Sequence, residues 1–474
     1  MKKTHFSILL LLVAMVLQAQ NLPTKQQVLD QMKLANNYFL AKWPDPTTNI
    51  VTNKSRPSNL WTRGTYYEGL MQLYYLTQDA ALLKYAVDWG TYHKWQPTYV
   101  GTVATRIADN QCCGQTFCEL YQLDPTKTER IATMQVSIDA MVNSTKVNDW
   151  WWIDAIHMAM PVFTKFGVIK NDSKYFDKMY DLFNYTRSQA KGVGLYNAND
   201  SLWYRDSVYL PPNKTTNGLP IYWSRGNGWV FAALTRTLDV LPATAPHRAD
   251  YVTMFRQMAR KLIRIQRTDG FWNPNLGDPN DYGGKETSGT VFFTYGLAWG
   301  INNNLLDSAT FYPAVVKAWN GLVKDALHTT GALGYVQSAG SKPADGQPLS
   351  YDKMPDFEDF GLGGFLLAGS EVYQLSKTVS TGFNSPSTVN SKLQVTPNPI
   401  RNDFEVNFDS SERYNLLEIH DLRGKLIAKQ EFENTNPLKV NIKSLVKTPL
   451  TSGTYLITVS NHLHKETVKI IYKN

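Results

Sequence analysis

The chain has only 3 cysteines in 474 residues, Cys112, Cys113 and Cys118. An odd, tightly spaced set cannot build a disulfide framework. No His or Cys stands nearby at ligand spacing, so no zinc site is expected, and the thiols read as buried. Long apolar runs are missing beyond the first 20 residues, which predicts no stable membrane insertion. A basic stripe is missing too. The net charge is +8, but residues 391–474 hold 12 Lys/Arg against 9 Asp/Glu, and the first 20 residues hold two against none. The long middle is nearly balanced, which excludes a nucleic-acid partner. No metal or cofactor motif occurs. What is abundant is aromatic: 12% of residues, including 13 Trp, as a carbohydrate cleft would use.

The two ends differ from the middle. Met1-Lys2-Lys3, an apolar run from Ile8 to Leu17 and then Gln18-Ala19-Gln20 read as a secretory signal peptide over residues 1–20. The run is too short to span a bilayer. Residues 378–391 are rich in Ser, Thr, Asn and Gly, as a linker is. Beyond them, short alternating segments such as Phe404-Glu405-Val406-Asn407-Phe408 and Tyr455-Leu456-Ile457-Thr458-Val459 predict a small β-sandwich over residues 392–474. Pro397-Asn398-Pro399, Asp421-Leu422-Arg423-Gly424-Lys425 and Ser452-Gly453-Thr454-Tyr455 in this tail resemble the C-terminal sorting domain of type IX secretion. That resemblance implies export by the type IX machinery and a secreted or cell-surface enzyme. A carbohydrate-binding module is the competing reading, and the tail's lack of an aromatic cluster counts against it.

Residues 21–377 read as all-helical. Apolar residues recur at helical spacing near 24–43, 59–77, 79–95, 108–122, 126–142, 150–167, 173–189, 225–240, 246–266, 285–301, 308–325 and 359–374. Every second segment opens on a motif rich in Gly, aromatics or carboxylates, whereas the others are plain amphipathic stretches. The simplest geometry is an (α/α)6 toroid with the motif-bearing helices inside. Their N-termini then converge at one end, where the combined dipoles favour an anionic ligand.

One motif has an evident chemistry. Tyr222-Trp223-Ser224-Arg225-Gly226-Asn227-Gly228-Trp229 sets one guanidinium between two indoles. An Arg fork suits a carboxylate, and flat rings suit sugar faces. The segment therefore describes a pocket for an acidic sugar, or else a helix start with core tryptophans.

Taken in order, several motifs resemble glycoside hydrolase family 105, the unsaturated rhamnogalacturonyl hydrolases. They are Trp61…Gly64…Gly69-Leu70, Asp109…Gly114-Gln115, Trp151-Trp152-Ile153-Asp154-Ala155, Trp223-Ser224-Arg225-Gly226-Asn227-Gly228-Trp229, Asp269-Gly270-Phe271-Trp272, Glu286-Thr287-Ser288-Gly289-Thr290 and Gly361-Leu362-Gly363-Gly364. The resemblance spans nearly all of residues 24–376. It implies hydration of the vinyl ether in a nonreducing-end 4,5-unsaturated uronyl residue, a departure from two-carboxylate glycoside hydrolysis, with no cofactor. The expected partner is an unsaturated uronyl oligosaccharide containing rhamnose, from rhamnogalacturonan or ulvan.

The same resemblance makes Asp154 the acid/base and Asp109 the second aspartate, which orients water or sugar hydroxyls. Both also suit plain helix-start carboxylates. The apolar neighbours of Asp154 favour a raised pKa, while a helix N-terminus opposes it. Asp149 reads as a cap rather than a rival acid. Arg225 is expected to grip the uronate, with Trp223, Trp229 and Trp61 as stacking walls. His157 shares the helical face of Asp154 and could touch substrate or be structural. Arg205 stands where many family members carry a substrate-binding His, so it either contacts substrate or pairs with Asp206. The competing functions are an unsaturated glucuronyl hydrolase acting on glycosaminoglycan products and a non-catalytic carbohydrate-binding protein.

Overall fold

The structure, a computed structural model, describes residues 21–51, 55–98, 104–352, 359–377, 393–408, 414–421, 426–433, 436–446, 450–460 and 465–473. The expected leader (1–20) and linker (378–391) lie outside the described residues. The chain divides into two compact units, Met1–Ser380 and Thr381–Asn474.

In the first unit the helices are α1 (Lys25–Lys42), α2 (Trp61–Thr77), α3 (Ala80–Tyr92), α4 (Ala108–Gln111), α5 (Gly114–Leu123), α6 (Glu129–Val142), α7 (Asp154–Lys170), α8 (Lys174–Asn184), α9 (Ser224–Val240), α10 (Arg248–Arg264), α11 (Thr287–Asn302), α12 (Ser308–Gly321) and α13 (Asp359–Leu375). Local sequence sets many starts. Thr24 and Gln27 form a reciprocal capping box at α1, and Asp79 and Asp307 cap α3 and α12. Tyr251, Met254, Phe255, Met258, Ala259 and Leu262 make one buried stripe on α10 at helical spacing. By contrast α9 and α11 are buried on nearly all sides. Packing follows that difference. α2, α5, α7, α9, α11 and α13 contact one another in turn, and α13 closes back onto α2. This is the inner ring of the expected toroid. The closure is tight: a Cβ on Gly363 would lie 2.2 Å from the Thr65 carbonyl oxygen, and one on Gly69 would lie 2.4 Å from that of Gly363.

Two helices differ from expectation. The fourth expected helix is broken at Cys112–Cys113 into α4 and α5, just before Gly114, where Met134 of α6 leaves no room for a side chain. The helix expected from residue 150 begins at Asp154. The preceding turn is held elsewhere: the Trp150 carbonyl accepts from the Thr186 hydroxyl, and the Ile153 N–H donates to the Arg205 carbonyl at 3.0 Å. The late start puts Asp154 on the first turn of α7.

Small hairpins decorate the helices: β1 (Ile50–Val51) with β2 (Ser55–Arg56), and β3 (Tyr196–Asn197) with β4 (Leu202–Trp203). The second unit is antiparallel. β5 (Gln394–Thr396), β6 (Asp403–Asn407) and β9 (Leu438–Asn441) form one sheet. The other sheet has β11 (Lys465–Tyr472), β10 (Gly453–Ser460), β7 (Leu416–Asp421) and β8 (Leu426–Glu431) in that spatial order. Phe404, Val406, Leu417, Ile419, Ile457, Val459 and Ile470 form its core. The sequence pattern misses β8 and β9. The first is an edge strand with one buried residue, and the second has only four residues.

Candidate active site

The first turns of the inner helices meet pairwise around the ring. Trp61 of α2 stacks on Phe360 of α13 at 5.7 Å between ring centres. Gly64 of α2 faces Cys112 at the end of α4, and Gly226 of α9 faces Ile153 at the start of α7. Arg225 of α9 donates to the Ser288 hydroxyl of α11 at 3.2 Å. The expected convergence of N-termini is therefore present.

Asp154 and Asp109 share this end. The Asp154 side chain is 11% accessible, and its Oδ2 accepts from Arg205 Nε at 3.1 Å. Burial raises its pKa, and the pull of Arg205 and Arg225 only partly offsets that. Asp109, half-buried on the single turn of α4, is pushed up to about 7. Burial is the main cause, the negative charge of Asp154 adds to it, and Arg205 opposes it. The two carboxyl groups and Arg205 thus form one electrostatic unit. Carboxyl groups perturbed in this way mark a functional-site candidate. Arg205 is itself held by Asp206, which accepts from Nη1 at 2.7 Å. Both sequence readings of Arg205 apply: it pairs with Asp206, and it also faces the acid. Asp149 is a structural ion-pair node. Although burial opposes it, bonds from Arg106 and Lys146 hold its carboxyl below the usual range.

Four of the expected contact residues have other employment. Arg225 is fully buried between the rings of Trp223 (4.5 Å) and Phe360 (4.7 Å). Its Nη1 donates to the Gln337 carbonyl and its Nη2 to that of Ser338, each at 2.8 Å. Both terminal nitrogens thus bond the protein, and Nε lacks a protein partner. Burial lowers its pKa to about 10, so it keeps its charge near neutrality. Trp223 is buried and donates through Nε1 to Gln337 Oε1 at 2.7 Å. Trp229 is wholly buried among Trp61, His157, Phe292 and Phe360. Neither indole offers a face to a sugar.

His157 is a core residue. Its Nε2 lies 3.1 Å from Glu68 Oε2, and both side chains are fully buried. They belong to a polar cluster shared by α2, α5, α7 and α9. Arg236 of α9 bonds Gln115 at 2.7 Å and Glu119 at 2.9 Å, and Lys165 of α7 bonds Glu119 at 3.0 Å. Pro161 helps build it. Proline has no N–H, so the carbonyl four residues earlier loses its helical partner. That carbonyl belongs to His157, and Gln115 Nε2 donates to it at 2.8 Å.

Two tryptophans of the family-like motifs keep accessible surface: Trp61, which is half-buried, and Trp151, which is 54% exposed and packed on Trp152. Trp151 was legible only as part of a motif. Glu286 also stood in a family-like motif: its carboxylate caps α11, accepting from the Ser288 and Gly289 amides. Gln337 carried no local signal. It lies in the loop between α12 and α13 and bonds Trp223 and three carbonyls of that loop. No group of His, Cys, Asp and Glu among the described residues could hold a metal ion, and no helix among them is long and apolar enough to cross a membrane.

Comparison with known proteins agrees with this geometry. The family model described as Glycosyl Hydrolase Family 88 matches residues 31–376. A secretion system C-terminal sorting domain matches residues 394–473, which marks the chain for export to the cell surface or beyond. An unsaturated 3S-rhamnoglycuronyl hydrolase of Formosa agariphila is 33% identical over 338 residues, covering 67% of this chain and 85% of that protein. The solved structure of a glycosyl hydrolase family 88 protein from Bacteroides vulgatus superposes with a TM-score of 0.68 at 33% identity, covering 74% of this chain and 99% of the other. A family 105 glycoside hydrolase from C. acetobutylicum shares the fold, with a TM-score of 0.58 at 21% identity over 73% of this chain and 99% of its own.

Proposed function

The chain belongs to glycosyl hydrolase family 88, and from that premise we propose that this exported glycoside hydrolase removes a nonreducing-end 4,5-unsaturated uronyl residue from rhamnose-containing oligosaccharides released by polysaccharide lyases. The observation that carries the reading is a carboxyl pair with raised pKa values, Asp109 and Asp154, at one end of the ring, with the Arg205 guanidinium bonded to Asp154 at 3.1 Å. The name of the Formosa relative supports rhamnose next to the uronate.

In this reading Asp154 donates its proton to C4 of the vinyl ether. The double-bond electrons form the new C–H bond, and positive charge develops at C5 and the ring oxygen. Asp154, now a carboxylate, takes a proton from the water that adds at C5. The resulting hemiketal opens to a keto sugar, which exposes a hemiacetal at C1 that expels the neighbouring sugar. One carboxyl group thus serves as acid and then base, so its pKa must lie near the working pH. Asp109, neutral up to about pH 7, can donate a hydrogen bond to the attacking water or a sugar hydroxyl. Arg205 stabilises the carboxylate form of Asp154 after proton transfer. Arg225 contributes charge and an unpartnered N–H at Nε, while its terminal nitrogens brace the 337–338 backbone. Trp61 and Trp151 offer the ring faces for sugar stacking.

The test is a panel of lyase-treated pectin, ulvan and chondroitin, followed at the ultraviolet band of the unsaturated uronate. The reading predicts loss of absorbance with rhamnose-containing products. Persistence of the band across the panel would overturn it.

A further inference from the structure

The Arg-Gly-Asn-Gly segment at the start of α9 holds one side chain whose task lies in another element. Asn227 is fully buried, and its amide makes three bonds. Its Oδ1 accepts from the Trp203 N–H at 2.9 Å, and its Nδ2 donates to the Trp203 carbonyl at 3.0 Å and to the Trp223 carbonyl at 3.0 Å. The side chain pairs with β4 as a neighbouring strand would. Two residues later the Arg205 carbonyl accepts from Ile153 N–H at 3.0 Å, immediately before Asp154. The Arg205 side chain then turns back to Asp154 at 3.1 Å. Gly226 lets this happen, because a Cβ there would lie 2.9 Å from Trp223 and 3.1 Å from Ile153.

We propose that Asn227 is a positioning residue: by clamping the Trp203 backbone to α9, it fixes where the Arg205 guanidinium stands against Asp154. The proposal rests on the reading of Asp154 as the acid/base. Burying an amide with all its polar atoms satisfied is stabilising, and here the bonded backbone leads directly to the acid's partner. The charged groups around Asp154 are Arg205 after β4, with Asp206 beside it, Asp109 of α4 and Arg225 of α9. Arg205 favours the carboxylate, so loosening it leaves Asp154 protonated to higher pH. Asp109 and Asp206 push the same way, and Arg225 opposes them.

The test is the pH profile of kcat/KM of the full chain on an unsaturated uronyl disaccharide. Activity needs protonated Asp154, so it falls on the high-pH side. Arg205→Gln should move that limb up, by about 1–3 on the pH scale for loss of an adjacent opposite charge. Asn227→Ala should move it in the same direction by a smaller amount, and adding Asn227→Ala to Arg205→Gln should move it no further. A uniform loss of rate with the limb in its wild-type place, or a full second displacement in the double variant, overturns the proposal. Should Asn227→Ala fail to fold, Asn227→Ser, which keeps one hydroxyl for the Trp203 backbone, is read the same way. Wild-type turnover of the disaccharide tests the assignment of the reaction, whereas the limb positions test the clamp, so the two failures are distinguishable.

Discussion

Asp109→Asn is expected to stabilise the first unit at high pH and leave it nearly unchanged at low pH. The native carboxyl group titrates near 7, against about 3.9 for an unfolded Asp. Between those values the unfolded chain releases a proton that the folded chain keeps. Stability therefore falls as pH rises from about 4 to about 7, and is level above. A tenfold change in the protonation constant corresponds to about 1.4 kcal/mol, so the rise from about 3.9 to about 7 sets a ceiling near 4 kcal/mol. The carboxyl group is half-buried and screened by water, so about 2 kcal/mol is the expected size. An amide cannot ionise and escapes this cost. The assay is urea unfolding of both proteins at pH 4 and pH 8, followed by tryptophan fluorescence. All 13 tryptophans precede residue 381, so this signal reports the first unit alone. The stability difference between variant and wild type should grow in favour of Asn on going to pH 8. A difference that is the same at both pH values would refute the claim that this end of the toroid holds a neutral carboxyl group.

Asp154→Asn should reduce turnover by at least about 10²–10⁴-fold, the usual worth of a positioned acid or base, with circular dichroism unchanged; a folded variant near wild-type activity removes Asp154 from the mechanism. Glu119→Gln should destabilise the first unit by about 3–5 kcal/mol, because it strips a buried carboxylate from both Lys165 and Arg236; a midpoint in urea within error of wild type would show the buried polar cluster to be dispensable. Gly363→Ala should cost about 1–3 kcal/mol or more by overpacking, since its Cβ would meet the Thr65 carbonyl at 2.2 Å, and an unchanged melting temperature would contradict the close α2–α13 contact.

Architecture was legible because it follows from periodicity. Helical spacing located every inner and outer element, and the alternation of motif-rich with plain helices identified which ones line the ring. The convergence of Asp109 and Asp154 was legible because both sit on helix starts. The direction in which the Asp154 pKa moves was not, because burial and two guanidinium groups compete and only their distances decide. The burial of Arg225, Trp223 and Trp229 was not legible in their motif. Gln337 and Ser338, more than a hundred residues away, supply polar partners for Trp223 and Arg225, and Trp61, Phe292 and Phe360 enclose Trp229. His157 was ambiguous on its own helix, because its buried partner, Glu68, lies on α2. The break at Cys112–Cys113 falls just before Gly114, on which Met134 packs, a contact between distant positions.

The central claim is that this chain hydrates an unsaturated uronate rather than hydrolysing a saturated glycoside. The direct measurement is to treat matched unsaturated and saturated uronyl-rhamnose disaccharides with the purified enzyme in deuterated water and locate the label by mass spectrometry and NMR. The account predicts cleavage of the unsaturated compound alone, with one deuterium at C4 of the released keto-uronate. Efficient cleavage of the saturated compound, or a product without label at C4, would contradict it.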